Sequence, residues 1–315
     1  GQLGEFGSTR SSVGVFDSGI PCYLPGMTIP IFKVDSFTSE PFRGNPAGVC
    51  LLEESRSDTW MQAIAAEMNV SETAFVWSES GRMVIRYFTP TVEVPLCGHA
   101  TLASTHILWE ENKVPQGNRI DLSAKGGEVS ASQDGDWICM DFPVDPLEDG
   151  ELPPDLRVAL GVEPKVTKRS SYGLWFLQLH SESAIRSAEP DFSSLLRGGW
   201  DPVLITASSA GGGHDFVSRF FAPTMGINED PVTGFAHTSL GPYWRTILNK
   251  EEVTGLQVSA RSGVVRVRTR GDRVLTNYLP HDVIELSDNV FASLAVTQTQ
   301  QKLLRSFFDH AGLPL

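Results

Sequence analysis

The spacing of apolar and polar residues divides most of the chain into short strand-like runs, with few helical stretches. Ile29 to Phe37 (IPIFKVDSF) alternates and is rich in strand formers, which predicts a strand. Gly44, Asn45 and Pro46 mark a turn, and Ala47 to Leu52 reads as the next strand. Ser57 or Asp58 can cap a helix through TWMQAIAAEM, whose Met61, Ile64, Ala65 and Met68 share one face, and Asn69 ends it. After Val70-Ser71-Glu72 comes an alternating strand, TAFVW, then MVIRYFTP, stopped by Pro90. RIDLSAKGGEVSAS and DWICMDFP read as hairpin strands. SYGLWFLQLH, the end of GGWDPVLITASS and DFVSRFFAPT are further strands, and GVVRVRTR alternates valine with arginine, so one of its faces is wet. Pro143, Pro146, Pro153 and Pro154 cluster among acidic residues, the best candidate for a crossing between domains.

The most informative feature is an internal repeat. Residues 87–109 read YFTPTVEVPLCGHATLASTHILW, and residues 220–244 read FFAPTMGINEDPVTGFAHTSLGPYW. Each has an aromatic-Phe-x-Pro-Thr strand end, a short acidic loop, a helix entered at a glycine (Gly98 or Gly234) and a closing tryptophan (Trp109 or Trp244). Gly98-His99-Ala100 aligns with Gly234-Phe235-Ala236. Two copies far apart do not make a solenoid. They predict two similar lobes, each placing a helix start at a shared cleft. A helix N-terminus presents unpaired N–H groups and a positive dipole end, so a facing pair can hold a carboxylate. Glycine at each start leaves the backbone open to a ligand; either glycine alone reads better as a tight-turn residue, and it is the matched pair that points to a binding site.

Composition narrows the classes. At 315 residues, 41% hydrophobic and 20% charged, the chain can bury cores in two domains. A formal net charge of −13 argues against nucleic acid and anionic membranes as partners. Four scattered cysteines without a CxxC pair point to reduced thiols in a cytoplasmic protein and offer no zinc spacing. HExxH, GxGxxG and the phosphate-loop pattern are missing, which argues against a metal hydrolase or a nucleotide enzyme. Residues 1–26 have neither a basic start nor a solid apolar block, so they do not read as a signal peptide. They are expected to be an added leader, with Met27 as the start of the protein. The expected division is a first lobe over residues 28–140, a second over 141–275, and a C-terminal segment, 276–315, of undetermined packing.

FTPTVEVPLCGHATLAS, GNPAGV, NVSETAFV and EDPVTG occur in order and resemble the signature blocks of the PhzF-like family. The resemblance spans roughly residues 28–268, with the animal phenazine biosynthesis-like domain proteins as the nearest expected relatives. It implies an α+β fold of the diaminopimelate-epimerase-like type: two pseudo-symmetric lobes, each a curved β-sheet or barrel around a central helix. It further implies an isomerase that shuttles a proton on a small carboxylate-bearing substrate between the lobes, without metal or organic cofactor, often as a homodimer. Against that pattern the stretch after about residue 274 lacks the Gly-rich closing strands, and QTQQKLLRSFFDHAG reads as an added amphipathic helix.

Carried residue by residue, the resemblance makes Glu72 the general acid/base, where spacing alone would leave it a solvated turn residue. His99, otherwise a capping or core histidine, becomes a hydrogen-bond donor or proton relay. Asp230, otherwise a turn former before Pro231, becomes a group that orients Glu72 or His99, or binds an amino group. Asn45, Gly98, Thr233, Gly234 and Phe235 fall at substrate-binding positions. Cys97 precedes Gly98 where two-thiol epimerases of this fold carry one cysteine, but its counterpart is Thr233, too weak an acid for that chemistry. Cys97 therefore reads as a small packing residue. Phe235 stands where the family usually has a small residue, and its ring could fill the pocket or turn away. An amino-acid racemase and a binding or scaffold protein without turnover remain the alternatives.

Overall fold

The computed structural model describes residues 29–40 and 42–278, and the backbone of residues 281–286. The first half runs β1 (Ile31–Ser36), β2 (Asn45–Leu51), α1 (Asp58–Met68), β3 (Glu72–Glu79), β4 (Arg82–Phe88), β5 (Glu93–Val94), α2 (Gly98–Glu110), β6 (Ile120–Ala124), β7 (Gly127–Asp134) and β8 (Trp137–Pro143). Next come β9 (Leu147–Asp149) and α3 (Pro154–Leu160). The second half runs β10 (Val166–Ser170), β11 (Trp175–Gln178), α4 (Glu182–Arg186), α5 (Phe192–Arg197), β12 (Val203–Ser208), β13 (Phe216–Ala222), β14 (Ile227–Asp230), α6 (His237–Leu248), β15 (Glu252–Gln257), β16 (Gly263–Arg270) and β17 (Arg273–Tyr278), followed by β18 (His281–Leu286).

Pairing follows one scheme twice. In the first half β1–β2, β3–β4 and β6–β7–β8 are antiparallel, and the parallel pairs β2–β3 and β4–β6 join them. In the second half β10–β11, β12–β13 and β15–β16–β17 are antiparallel, joined by the parallel pairs β11–β12 and β13–β15. The equivalent strands β8 and β17 pair with each other. The strand after each half pairs with the first strand of the other: β9 with β10, β18 with β1. The parallel pairs need crossovers, which α1, α2, α4–α5 and α6 supply.

The halves also agree in their side chains. Arg86 donates to Glu93 at 2.8 Å and lies 5.0 Å from the Phe88 ring. Arg219 donates to Glu229 at 2.7 and 2.9 Å and lies 4.9 Å from the Phe221 ring. Both arginines precede the aromatic-Phe pair of the repeat and both glutamates lie in the strand opposite. Each clamp holds a loop that leads to a central helix.

Burial explains the strand composition. In β3 Ala74 and Val76 join the core that contains α2, whereas Phe75 and Trp77 pack with Met61 and Ala65 of α1. The run expected to alternate is therefore apolar on both faces. In α2 most side chains are buried, and the hydroxyls of Thr101, Ser104 and Thr105 donate to the carbonyls of Cys97, Ala100 and Thr101 at 2.7, 2.7 and 2.8 Å. No buried hydroxyl in that helix is thereby left unpaired. In α6 Pro242 has no N–H for the Thr238 carbonyl, which instead accepts from the Asp145 N–H at 3.3 Å.

Several sequence expectations need correction. Asn45 is not in a turn but opens β2, fully buried; the turn is made by Gly44, whose φ is 65°. The second central helix begins at His237, after a tight turn over residues 234–236, not at Gly234. The Pro-rich stretch carries β9 and the start of α3. The stretch after residue 274, expected to lack closing strands, continues β17 and contains β18. The leader 1–26 and the added C-terminal helix lie outside the described residues.

Gly241, inside α6, faces Val267 of β16 so closely that a Cβ there would lie 2.2 Å from Cγ1. Alanine would raise helix propensity by about 1 kcal/mol, whereas forcing β16 away costs roughly 1–3 kcal/mol. Gly241→Ala is therefore expected to lower the urea midpoint; an unchanged or raised midpoint would show that the helix and strand can separate freely.

Candidate active site

Glu72 opens β3, where the chain turns out of α1 through Asn69, whose φ is 48°. His99 is the second residue of α2, and Ser36 fixes its backbone by donating from Oγ to the His99 carbonyl at 2.9 Å. The two side chains meet: His99 Nε2 lies 3.2 Å from Glu72 Oε2. Both atoms are buried, and neither has a hydrogen-bond partner, so the contact lies outside hydrogen-bond geometry. Cys97 completes the group, with Sγ 3.4 Å from His99 Nδ1 and its thiol hydrogen-bonded to Glu72. Cys97 is thus more than a packing residue.

Desolvation governs all three groups. Burial pushes Glu72 up to about 7, moderated by the hydrogen bond from Cys97. Burial lowers His99 to about 4, against the charge of Asp230, so the imidazole is neutral at neutral pH. The 3.2 Å contact is then a contact of a carboxyl with a neutral ring, not an ion pair. Burial and the Glu72 charge hold the Cys97 thiol well above its ordinary range, so it stays protonated. One oxygen, one sulfur and one nitrogen of this set lie within 4.8 Å of one another and could hold a divalent metal, although no ligand spacing in the sequence announces it.

The second half contributes Asp230, the last residue of β14. Its Oδ1 accepts from Asn45 Nδ2 at 2.8 Å and its Oδ2 from Thr233 Oγ1 at 2.6 Å. Asn45 also donates to the Val232 carbonyl at 2.9 Å and accepts from Ser71 Oγ at 3.2 Å. It therefore bridges the residue before Glu72 to the loop of the other half. Burial pushes Asp230 up to about 6, moderated by the hydrogen bonds it accepts from Thr233 and Asn45.

Gln257 was missed in the sequence. It is fully buried at the end of β15, donates from Nε2 to the Asp230 carbonyl (2.8 Å) and to Thr233 Oγ1 (3.2 Å), and accepts from the Thr233 N–H (2.9 Å). Because Thr233 Oγ1 accepts from Gln257, its own proton points at Asp230. No local motif marks Gln257; only the β13–β15 pairing brings it to the loop.

The two glycines differ. A Cβ at Gly98 would meet only Phe142, at 3.9 Å, so the backbone there is open. A Cβ at Gly234 would press on Phe37 and Tyr278, both at 3.2 Å, so packing accounts for that glycine. Phe235 turns its ring against Tyr172 in an edge contact at 5.3 Å and stays 43% exposed. A surface cavity of about 360 Å³ lined by Phe37, Arg43, Trp137 and Val264 includes none of the acid/base side chains. The buried unpartnered atoms of Glu72 and His99 define the site better than the depth of that cavity does.

The phenazine biosynthesis-like protein family matches residues 34–274. The chain belongs to the PhzF-like family. It is 44% identical over 249 residues to an uncharacterised isomerase of Halalkalibacterium halodurans, covering 79% of this chain and 94% of that one. A mouse phenazine biosynthesis-like domain-containing protein is 39% identical over 274 residues, covering 78% and 93%. The expected animal proteins are thus relatives of this chain, though less similar to it than this bacterial protein is. A solved PhzF-family structure from Enterococcus faecalis is 35% identical, covers 82% of this chain and 97% of its own, and superposes with a TM-score of 0.76. The protein is an isomerase of this PhzF-like family, with the α+β fold of the diaminopimelate-epimerase-like type. Among the described residues no helix is long and apolar enough to cross a membrane.

Both raised carboxyls favour the fold in their protonated forms. That stabilisation is complete below about pH 4 and is lost as pH rises through about 6 for Asp230 and about 7 for Glu72. Glu72→Gln is therefore expected to be more stable than wild type near pH 8, by on the order of 3 kcal/mol, with the gap closing towards pH 4. Urea denaturation across pH checks this, and a pH-independent gap would contradict the raised value.

Proposed function

We propose that the protein is a cofactor-independent proton shuttle on a small carboxylate-bearing substrate, with Glu72 as the only acid/base that handles the migrating proton. As a carboxylate, Glu72 takes a proton from an acidified carbon; as the resulting acid, it returns one to another carbon of the same substrate while the double bond moves the opposite way. Substrate composition and charge are conserved. A group with its midpoint near 7 offers both forms at neutral pH.

The observation that carries this reading is the lack of an opposed second base. The strand registers make Phe88 and Phe221 equivalent; their partners are Thr73 in β3 and Val203 in β12, so Glu72 corresponds to Pro202. Cys97 corresponds to Thr233, whose hydroxyl is committed to Asp230. Asp230 itself accepts from both Asn45 and Thr233, an arrangement suited to a fixed negative charge. A racemase would need a proton donor on the face opposite Glu72, and this wall supplies none at the equivalent positions. Neutral His99 beside Glu72 can donate a hydrogen bond to the substrate. The first turn of α2, with no side-chain cap and an open Gly98, suits the substrate carboxylate.

The test is incorporation of solvent deuterium, followed by NMR, with a panel of unsaturated carboxylic acids and amino acids. Wild type is expected to exchange or isomerise an unsaturated carboxylate, and Glu72→Gln to lose this at least about a thousandfold while still binding the compound. Exchange that survives in Glu72→Gln would remove Glu72 from the mechanism, and racemisation of an amino acid without isomerisation of any unsaturated acid would favour a two-base enzyme.

A further inference from the structure

The repeat that makes the two halves alike also shows where they differ, and the differences share one character. Counting from the paired residues, Gly48 of β2 corresponds to Trp175 of β11, because their parallel partners are Thr73 and Val203. Tyr172 then falls at the offset of Asn45, in a hairpin that turns earlier. Pro202 stands for Glu72, and Phe235 stands for His99. At three positions where the first half carries polar groups of the site, the second half carries a tyrosine, a proline and a phenylalanine.

These residues are neither buried nor loose. Phe235 is 43% and Tyr172 68% exposed, with ring centroids 5.3 Å apart. Tyr172 sits on the tip of the β10–β11 hairpin, closed by the Ser170 N–H to the Leu174 carbonyl at 2.9 Å and by Gly173 with φ 88°. The fully buried Asp145 bolts this tip to the helix behind Phe235. Its Oδ1 accepts from the Ser171 N–H (3.0 Å) and Oγ (2.8 Å), and its Oδ2 from Ser239 of α6 (3.1 Å). Thr238 of the same helix donates to the Phe235 carbonyl at 2.7 Å. Two aromatic rings are thus held partly in water by a network of buried hydrogen bonds, two residues beyond Thr233 and its bond to Asp230. Exposed apolar surface so firmly placed beside a polar cluster gains free energy when a ligand covers it.

We propose that Tyr172 and Phe235 form the specificity wall of the cleft and select carboxylates that bear a hydrocarbon group, cyclic or branched, on the side away from Glu72. This deepens the proton-shuttle reading and rests on it for the position of the cleft. The wall offers only the Tyr172 hydroxyl as a hydrogen-bonding group, so a hydroxyl or amino substituent pointing there loses water without full replacement.

The test compares binding of cyclohexanecarboxylate, its polar isostere tetrahydropyran-4-carboxylate, and acetate by calorimetry. Wild type, Tyr172→Ala, Phe235→Ser and Glu72→Gln are used, each checked for folding by its urea midpoint. Wild type is expected to bind cyclohexanecarboxylate at least about tenfold more tightly than the isostere. Phe235→Ser should erase that preference, Tyr172→Ala should weaken it, and acetate should bind all of them alike. Glu72→Gln should keep the preference. Equal affinity of the ring and its isostere, or a preference that survives both wall substitutions, would overturn the proposal, as would no binding of cyclohexanecarboxylate at millimolar concentration. A missing preference with Glu72-dependent deuterium exchange intact would sink the wall alone. An intact preference without exchange would sink the proton shuttle alone.

Discussion

Burial of the Glu72 carboxyl beside a neutral imidazole and a protonated thiol is the constraint on which the rest of this cleft depends. A carboxylate deprived of water is costly, and the cost is expressed as a proton held to about pH 7. His99 cannot relieve it by becoming a cation, because its own burial keeps the ring neutral to about pH 4. Arginine, which would relieve it, is spent elsewhere: Arg86 and Arg219 are locked onto Glu93 and Glu229 behind the loops. The fold thus leaves the Glu72 carboxyl without a cation while it pairs Glu93 and Glu229 with arginine.

Duplication supplies the scaffold and divergence supplies the chemistry. The same strand pairing, the same arginine clamp and the same central helix occur twice, and the two copies exchange their final strands. That exchange, together with Asn45 on Asp230 and Arg261 on Asp35 at 2.7 Å, couples the two halves across the cleft. A site assembled this way needs both walls in register, and Gln257 holds the second wall by gripping the Asp230–Thr233 loop from behind. At the positions of Asn45, Glu72 and His99 the second half carries Tyr172, Pro202 and Phe235, so the two halves share a scaffold but not their polar groups.

Much of this was legible in the chain. The repeat was readable because its signals are local: an aromatic pair, a proline that stops a strand, an acidic loop, a glycine. The arginine before each aromatic pair lay just outside the repeat as read, and its partner glutamate needs the β-register to be recognised. Burial on both faces of β3, by contrast, depends on a helix that crosses over it, so an apolar run looked like an alternation. Asn45 looked like a turn residue beside Gly44 and Pro46 because nothing in the sequence shows Asp230, 185 positions away, waiting for its amide. Gln257 escaped for the same reason, and Cys97 was read as packing alone because its bond to Glu72 joins positions 25 apart. The closing strands β17 and β18 were discounted for want of glycine, yet pairing with β8 and β1 determines them, and that too is not a local property.

The central claim is that Glu72 titrates near neutrality inside the folded protein. Carbon-13 NMR of the glutamate side-chain carboxyls, with Glu72→Gln identifying the resonance, measures this without a substrate. The account predicts a midpoint at about 7 for Glu72. A midpoint at the ordinary value of about 4.5 would mean that water reaches the carboxyl, and would contradict the account.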